Sequence, residues 1–101
     1  MATRSTIKIE GNTTSKIYKH FDGYPEAMLP MLQKFNKKFK NLDESYKSAQ
    51  VLMYMAVNSE ESGFDAKSGR GFGIVTFSDK CGEEYEYMLK EDGTVTYRKI
   101  Y

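Results

Sequence analysis

His20 and Asp22 stand one residue apart in the stretch His20-Phe21-Asp22-Gly23-Tyr24-Pro25, and their side chains are the ones in this chain best suited to chemistry. An imidazole titrates near neutrality, and a carboxylate beside it can orient the ring and stabilise its charged form. On an extended strand the two positions share a face. The pair has two readings, a general acid–base couple or an oriented polar pair beside a turn. His20 is the one histidine present, and nothing marks a nearby Ser, Thr or Cys as a nucleophile. A hydrolytic use of His20 and Asp22 therefore ranks third among the functional readings, and no residue is assigned as catalytic.

Ser68-Gly69-Arg70-Gly71-Phe72-Gly73 has the glycine content of a phosphate-cradling loop. It precedes a strand rather than a helix, and it lacks the Lys-Ser/Thr pair of a P-loop. It reads first as a flexible lead-in to a strand, and second as an anion contact through Arg70 and adjacent backbone N–H groups. The candidates for binding a ligand or partner are Arg4, His20, Asp22, Tyr24 and Arg70. A single cysteine, Cys81, excludes an intramolecular disulfide framework and a zinc site built on paired cysteines. With one histidine and no carboxylates at ligand spacing, neither a metal nor a cofactor is expected. Cys81 lies between Lys80 and Gly82 in a polar turn; the lysine can raise thiol reactivity, but a lone turn cysteine reads first as incidental.

A chain of 101 residues is expected to form one domain, 1–101. At 40% hydrophobic and 29% charged residues it belongs with neither disordered nor membrane-embedded chains. The opening residues, Met1 to Thr6, lack the apolar centre of a secretory signal, and no run approaches the roughly 18 apolar residues of a membrane span. A reducing cytoplasm is the simplest expected setting. The net charge of +1 is unevenly spread: residues 1–50 hold nine Lys/Arg and five Asp/Glu, whereas residues 51–101 hold six and nine. Lys34, Lys37, Lys38 and Lys40 crowd one helix face. That face reads as solvated rather than nucleic-acid-binding, because the acidic run Glu83, Glu84, Glu86 occupies a neighbouring strand.

The elements that must position these residues follow from periodicity. Residues 4–22 alternate about the turn Gly11-Asn12-Thr13-Thr14-Ser15 and predict an antiparallel hairpin. Pro25 and Glu26 suit the first turn of a helix. Met28, Met31/Leu32, Phe35, Phe39 and Leu42 form its apolar stripe, and Pro30 predicts a kink or a short separate first turn. Asp22 is expected to cap this helix, and Gly23 to adopt a conformation costly for other residues. Asn41 or Asp43 caps a second helix over Tyr46 to Asn58. Its stripe of Ala49, Met53, Ala56 and Val57, widened by Leu52 and Met55, predicts deeper burial than the first helix. Ser59 to Gly71 is a loop, Gly73 to Phe77 a strand, and Glu84–Lys90 with Thr94–Ile100 a final hairpin. A three-residue loop, Glu91-Asp92-Gly93, pairs Leu89 with Val95 and Tyr87 with Tyr97, collecting the apolar residues on one face. The expected fold is α+β, in the order ββααβββ, with a mostly antiparallel sheet, both helices on one face and the other face open.

Thr3-Arg4-Ser5-Thr6-Ile7, His20-Phe21-Asp22-Gly23-Tyr24-Pro25 and Gly71-Phe72-Gly73-Ile74 ahead of Glu84-Tyr85-Glu86-Tyr87 together resemble a family of short proteins encoded by bacteriophages, prophages and related mobile elements. The resemblance covers nearly the whole chain. Phe21 stands where the family usually has tryptophan, which keeps an aromatic in the motif. The family carries no assigned catalytic residues, so the resemblance transfers none. It implies a mobile-element setting and a bacterial host cytoplasm. The leading functional expectation is a non-enzymatic binding protein that modulates a host protein or defence system. The alternative is a binder of a small anionic ligand such as a nucleotide, held by Arg4, His20, Tyr24, Arg70 and the Gly69–Gly73 backbone.

Overall fold

The structure, a computed structural model, describes residues 3–58 and 71–100. Arg70, and with it the loop expected over Ser59 to Gly71 up to its last residue, lies outside the described residues. The elements run β1 (Ser5–Ile9), β2 (Ser15–Lys19), α1 (Pro25–Lys38), α2 (Glu44–Asn58), β3 (Phe72–Thr76), β4 (Tyr85–Leu89) and β5 (Val95–Lys99). The five strands form one sheet in the order β3-β2-β1-β4-β5. Three pairs are antiparallel and the central β1–β4 pair is parallel. This is the expected α+β fold, with α2 over β1 and β2 and α1 over β4 and β5.

Local chemistry accounts for both hairpins. In the first, Asn12 Oδ1 accepts from the backbone N–H groups of Thr14 and Ser15 at 3.0 and 3.2 Å. An Asx turn of this kind reverses the chain without a ladder bond. In the last, Leu89 pairs with Val95, Tyr87 with Tyr97 and Glu86 with Arg98. Gly93 takes φ +93° at the left-handed position of a three-residue loop. Tyr87 and Tyr97 stack with ring centroids 5.9 Å apart on the helix side of the sheet. The register follows the sum of cross-strand pairs, as the sequence predicts.

The core lies between the sheet and the helices. It comprises Ile7, Ile9, Ile17, Tyr87 and Leu89 from the strands, Met28, Leu32 and Phe35 from α1, and Val51 and Met55 from α2. Pro30 does not split α1. The helix continues through it with Pro30 exposed, so the ring meets solvent and the only backbone bond lost is the one to Glu26.

The second helix is turned relative to its expected orientation. Lys47, Val51 and Met55 point inward, whereas Ala49, Met53 and Val57 are exposed. At 100° per residue, positions 49 and 53 lie nearly opposite 51 and 55. A buried polar node decides between the two faces. Asn36 Nδ2 donates to the carbonyls of Lys90 and Thr94 at 2.8 and 2.9 Å, and Lys47 Nζ donates to Asn36 Oδ1 at 3.1 Å and to the Lys40 carbonyl at 3.3 Å. Satisfied in this way, a lysine can face the core, where its four-carbon stem packs as apolar surface. As a result α2 buries fewer residues than α1, the reverse of the sequence expectation.

The sheet face away from the helices is only partly open. β3 and β4 run the same way with β2 and β1 between them, so residues 77–84 must cross the sheet. They cross on this face. Lys16 Nζ donates to the Asp79 carbonyl at 2.6 Å and pairs with Glu83 at 3.5 Å, and Lys8 Nζ lies 4.3 Å from the Phe77 ring centroid. The crossing strap leaves Thr6 and Lys16 buried on a face that strand alternation alone would leave to water.

Candidate functional site

The His20–Pro25 stretch is held at Gly23 by two hydrogen bonds. The Gly23 N–H donates to the Thr3 carbonyl at 2.8 Å, and the Tyr87 hydroxyl donates to the Gly23 carbonyl at 2.6 Å. A Cβ at Gly23 would lie 2.7 Å from Ser5 Cβ and 2.8 Å from Thr3 O. Glycine is thus required for close approach. The left-handed residue is Asp22, at φ +53°. Asp22 does not cap α1 either: Tyr24 holds the N-cap position without a side-chain cap bond. Pro25 at the first helical position makes a cap less necessary, because it has no N–H to satisfy. The Asp22 carboxylate acts on Lys19 instead. Burial pushes the Lys19 ammonium down, and Asp22 partly offsets this. Lys19 Nζ also donates to the Phe21 carbonyl.

His20 lies on the opposite face of β2, beside the strap. The Tyr18 hydroxyl and His20 Nδ1 are 2.7 Å apart, and the Phe21 ring meets the imidazole edge-on at 4.6 Å. Arg4 is exposed at the same end of the sheet. Its carbonyl accepts from Glu84 N–H at 2.9 Å, and its Nη1 comes within 3.0 Å of where a Gly82 Cβ would stand. Burial raises the Tyr18 phenol, and the Arg4 guanidinium opposes that rise. Arg4, Tyr18 and His20 therefore share an electrostatic corner. Tyr24 precedes α1 at the N-cap position, and Arg70 lies outside the described residues. Cys81 sits on the strap, where burial and then Glu83 push its thiol upward against the smaller effect of Lys16. This is the opposite of lysine activation, the lesser of the two readings of Cys81 from the sequence. Among the described residues no three His, Cys, Asp or Glu come together to hold a metal ion.

Among the described residues, an exposed apolar surface lies elsewhere. Tyr46, Met53 and Val57 of α2 are 64%, 52% and 84% exposed, and Ile74 of the neighbouring β3 is 70% exposed. At 100° per residue the three helix side chains fall within about 40° of arc, forming one narrow ridge. Met53 is its crest, with a groove on either side. The groove toward β3, about 320 Å³, is floored by Ile7, Ile17 and Ile74 and walled by Ala49 and Leu52. The groove toward α1, about 510 Å³, is lined by Phe35, Tyr54 and Val57 and rimmed by Lys34 and Lys38. The signal for this surface is present in the sequence. The stripe Ala49–Met53–Val57 is legible there but reads as core until the burial of Lys47 and Val51 is known.

Comparisons of the chain with protein-family models, with curated proteins and with solved structures find no match. The functional reading therefore rests on geometry.

Proposed function

We propose that this protein is a non-enzymatic binding module that recognises another protein chain through the exposed face of α2. The observation that carries the reading is the ridge itself: three large apolar side chains on one line, with an apolar groove on each side. Contiguous exposed apolar surface of this kind marks interaction sites in monomeric domains. The occupant it fits is a helix with an apolar stripe and carboxylates near one end, because Lys34 and Lys38 rim the α1 side of the face. In the phage or mobile-element setting that the resemblance implies, the protein recognised is a host protein.

The test is affinity capture from bacterial lysate with the wild type and with Met53→Glu, reading both proteins and retained small molecules by mass spectrometry. The expected result is a protein held stoichiometrically by the wild type and lost on Met53→Glu. The same proteins recovered by both would overturn the reading. A second reading, binding of a small anionic ligand, is favoured by the Arg4–Tyr18–His20 corner. It predicts a retained nucleotide that is lost on Arg4→Ala and unaffected by Met53→Glu.

A further inference from the structure

We infer that the outer edge of β3, with the groove between it and α2, takes an added β-strand: an extended segment of another protein whose groove-facing residues are apolar and uncharged. The inference goes beyond the reading of the α2 ridge. That reading seats a helix toward the α1 side, where Lys34 and Lys38 stand. The groove on the opposite side is bounded by a strand edge.

The backbone specifies an extended occupant. β3 ends the sheet and, among the described residues, pairs only with β2. The His20 N–H donates to the Gly71 carbonyl, and the Phe77 N–H to the Thr14 carbonyl. Such pairs alternate along an antiparallel ladder, so Gly71, Gly73, Val75 and Phe77 turn their backbone groups toward β2. Phe72, Ile74 and Thr76 turn theirs away. Among the described residues, the Thr76 carbonyl alone of these outward groups has a partner, the Asp79 N–H at 3.1 Å. The N–H groups of Phe72, Ile74 and Thr76 and the carbonyls of Phe72 and Ile74 remain, in the spacing of a strand. A helix satisfies its own backbone and cannot answer this row, whereas an extended chain can.

The two edges of the sheet differ in their guards. β5 carries Arg98 and Lys99, and charged side chains are a common defence against strand addition. β3 reads Phe72-Gly73-Ile74-Val75-Thr76, without charge or proline. Its five residues pair with β2 in unbroken register, so no bulge bends the edge away.

The side chains specify the rest. Ile74 is paired with Ile17, a core residue, and so points to the helix side of the sheet, where it is 70% exposed. α2 packs over β1 and β2. The groove of about 320 Å³ beside it is floored by Ile74 and walled by Ala49 and Leu52. A strand added at β3 continues the pleat, so every second side chain lands against Ile74 and this wall. Among the described residues, the one charged residue lining the groove is Lys16. Its ammonium is held on the other face of the sheet by Glu83 and the Asp79 carbonyl. A groove that offers no counter-charge rejects acidic and basic side chains and accepts aliphatic ones.

The test begins with selection of a displayed library of random short peptides on the full chain. Enriched peptides are expected to carry aliphatic residues at every second position. Methylating the backbone nitrogens of one alternate set in such a peptide should weaken binding more than about tenfold, and methylating the other set should not, because one set alone faces β3. Ile74→Pro removes an outward N–H and leaves the ladder to β2 intact. It should weaken binding by a similar factor with an unchanged circular dichroism spectrum. In hydrogen exchange, the amides of Phe72, Ile74 and Thr76 should exchange freely in the protein alone and slow more than about tenfold when the peptide binds. A library that enriches nothing, or enriches apolar residues at spacings of three and four, overturns the inference. So does binding indifferent to which set of amides is methylated. Slow exchange at 72, 74 and 76 in the protein alone also overturns it, because the edge is then covered by its own chain or by a second copy.

Discussion

Asn36 and Lys47 form the node on which the orientation of α2 depends, and their coupling can be worked out from the structure. Asn36→Ala removes two bonds to the carbonyls of Lys90 and Thr94. Both carbonyls keep a backbone donor, Gly93 N–H and Lys90 N–H respectively, so this part of the loss is about 1 kcal/mol per bond. The larger part falls on Lys47, whose ammonium is left buried with only the Lys40 carbonyl at 3.3 Å. A buried charge losing its main partner brings the total to roughly 3–5 kcal/mol. Lys47→Met keeps the packed stem and removes the charge, leaving Asn36 Oδ1 short of a donor, at a cost of about 1–2 kcal/mol. In the Lys47→Met background Asn36→Ala should then cost less, giving a coupling of roughly 1–3 kcal/mol in a double-mutant cycle. The assay is urea unfolding followed by circular dichroism. There is also a pH signature. Burial lowers the Lys47 ammonium below its usual value of 10.5, against the opposing effects of Glu91 and Glu10. Between the lowered folded value and 10.5 the unfolded chain binds more protons, so stability rises with pH in that window. The wild type should therefore gain on Lys47→Met as pH climbs toward 10.5. Additive single-mutant costs with parallel pH profiles would refute the node as the cause of the helix's orientation.

Three further outcomes are expected. Gly23→Ala should destabilise by about 1–3 kcal/mol, because its Cβ would press on Ser5 and on the Thr3 backbone. Asp22→Gly should change stability by no more than about 1 kcal/mol, because relief of the positive φ is set against loss of the carboxylate that favours the buried Lys19 ammonium; thermal melts in which it cost more than Gly23→Ala would contradict the close-approach account of Gly23. Cys81 should react with a disulfide reagent at pH 8 more slowly than a free cysteine, since its thiol is pushed upward by burial and Glu83; a faster rate would disprove that environment. The lysines at 34, 37, 38 and 40 should give no appreciable DNA or RNA binding at physiological salt, and a salt-sensitive gel shift there would overturn their reading as a solvated face.

Much of the fold is local and therefore legible. The two hairpins follow from turn chemistry at Asn12 and Gly93 and from short-range pairing, and α1 follows from Pro25 and the Met28–Leu32–Phe35 stripe. The candidate site was less legible. The sequence drew attention to His20 and Asp22 as the chain's rarest chemistry. In the structure Asp22 serves a buried lysine, while His20 lies beside Tyr18 on the same face of the strand. The apolar face of α2 was visible as a stripe but was assigned to the core, because a helix with apolar residues on two sides does not declare which side is inward.

The amino-acid order alone determined the elements, their periods, the register of the last hairpin and the α+β class, since each depends on residues within a few positions of one another. Tertiary structure alone decided three things. It placed β1 and β4 side by side in parallel, routed the strap 77–84 over the far face of the sheet, and turned Lys47 rather than Met53 toward the core. Each of these depends on partners far apart in the chain, such as Lys16 with Asp79 and Asn36 with Lys90. A lysine is buried only where distant carbonyls and an amide converge on its ammonium, and no local pattern in the sequence reports that convergence.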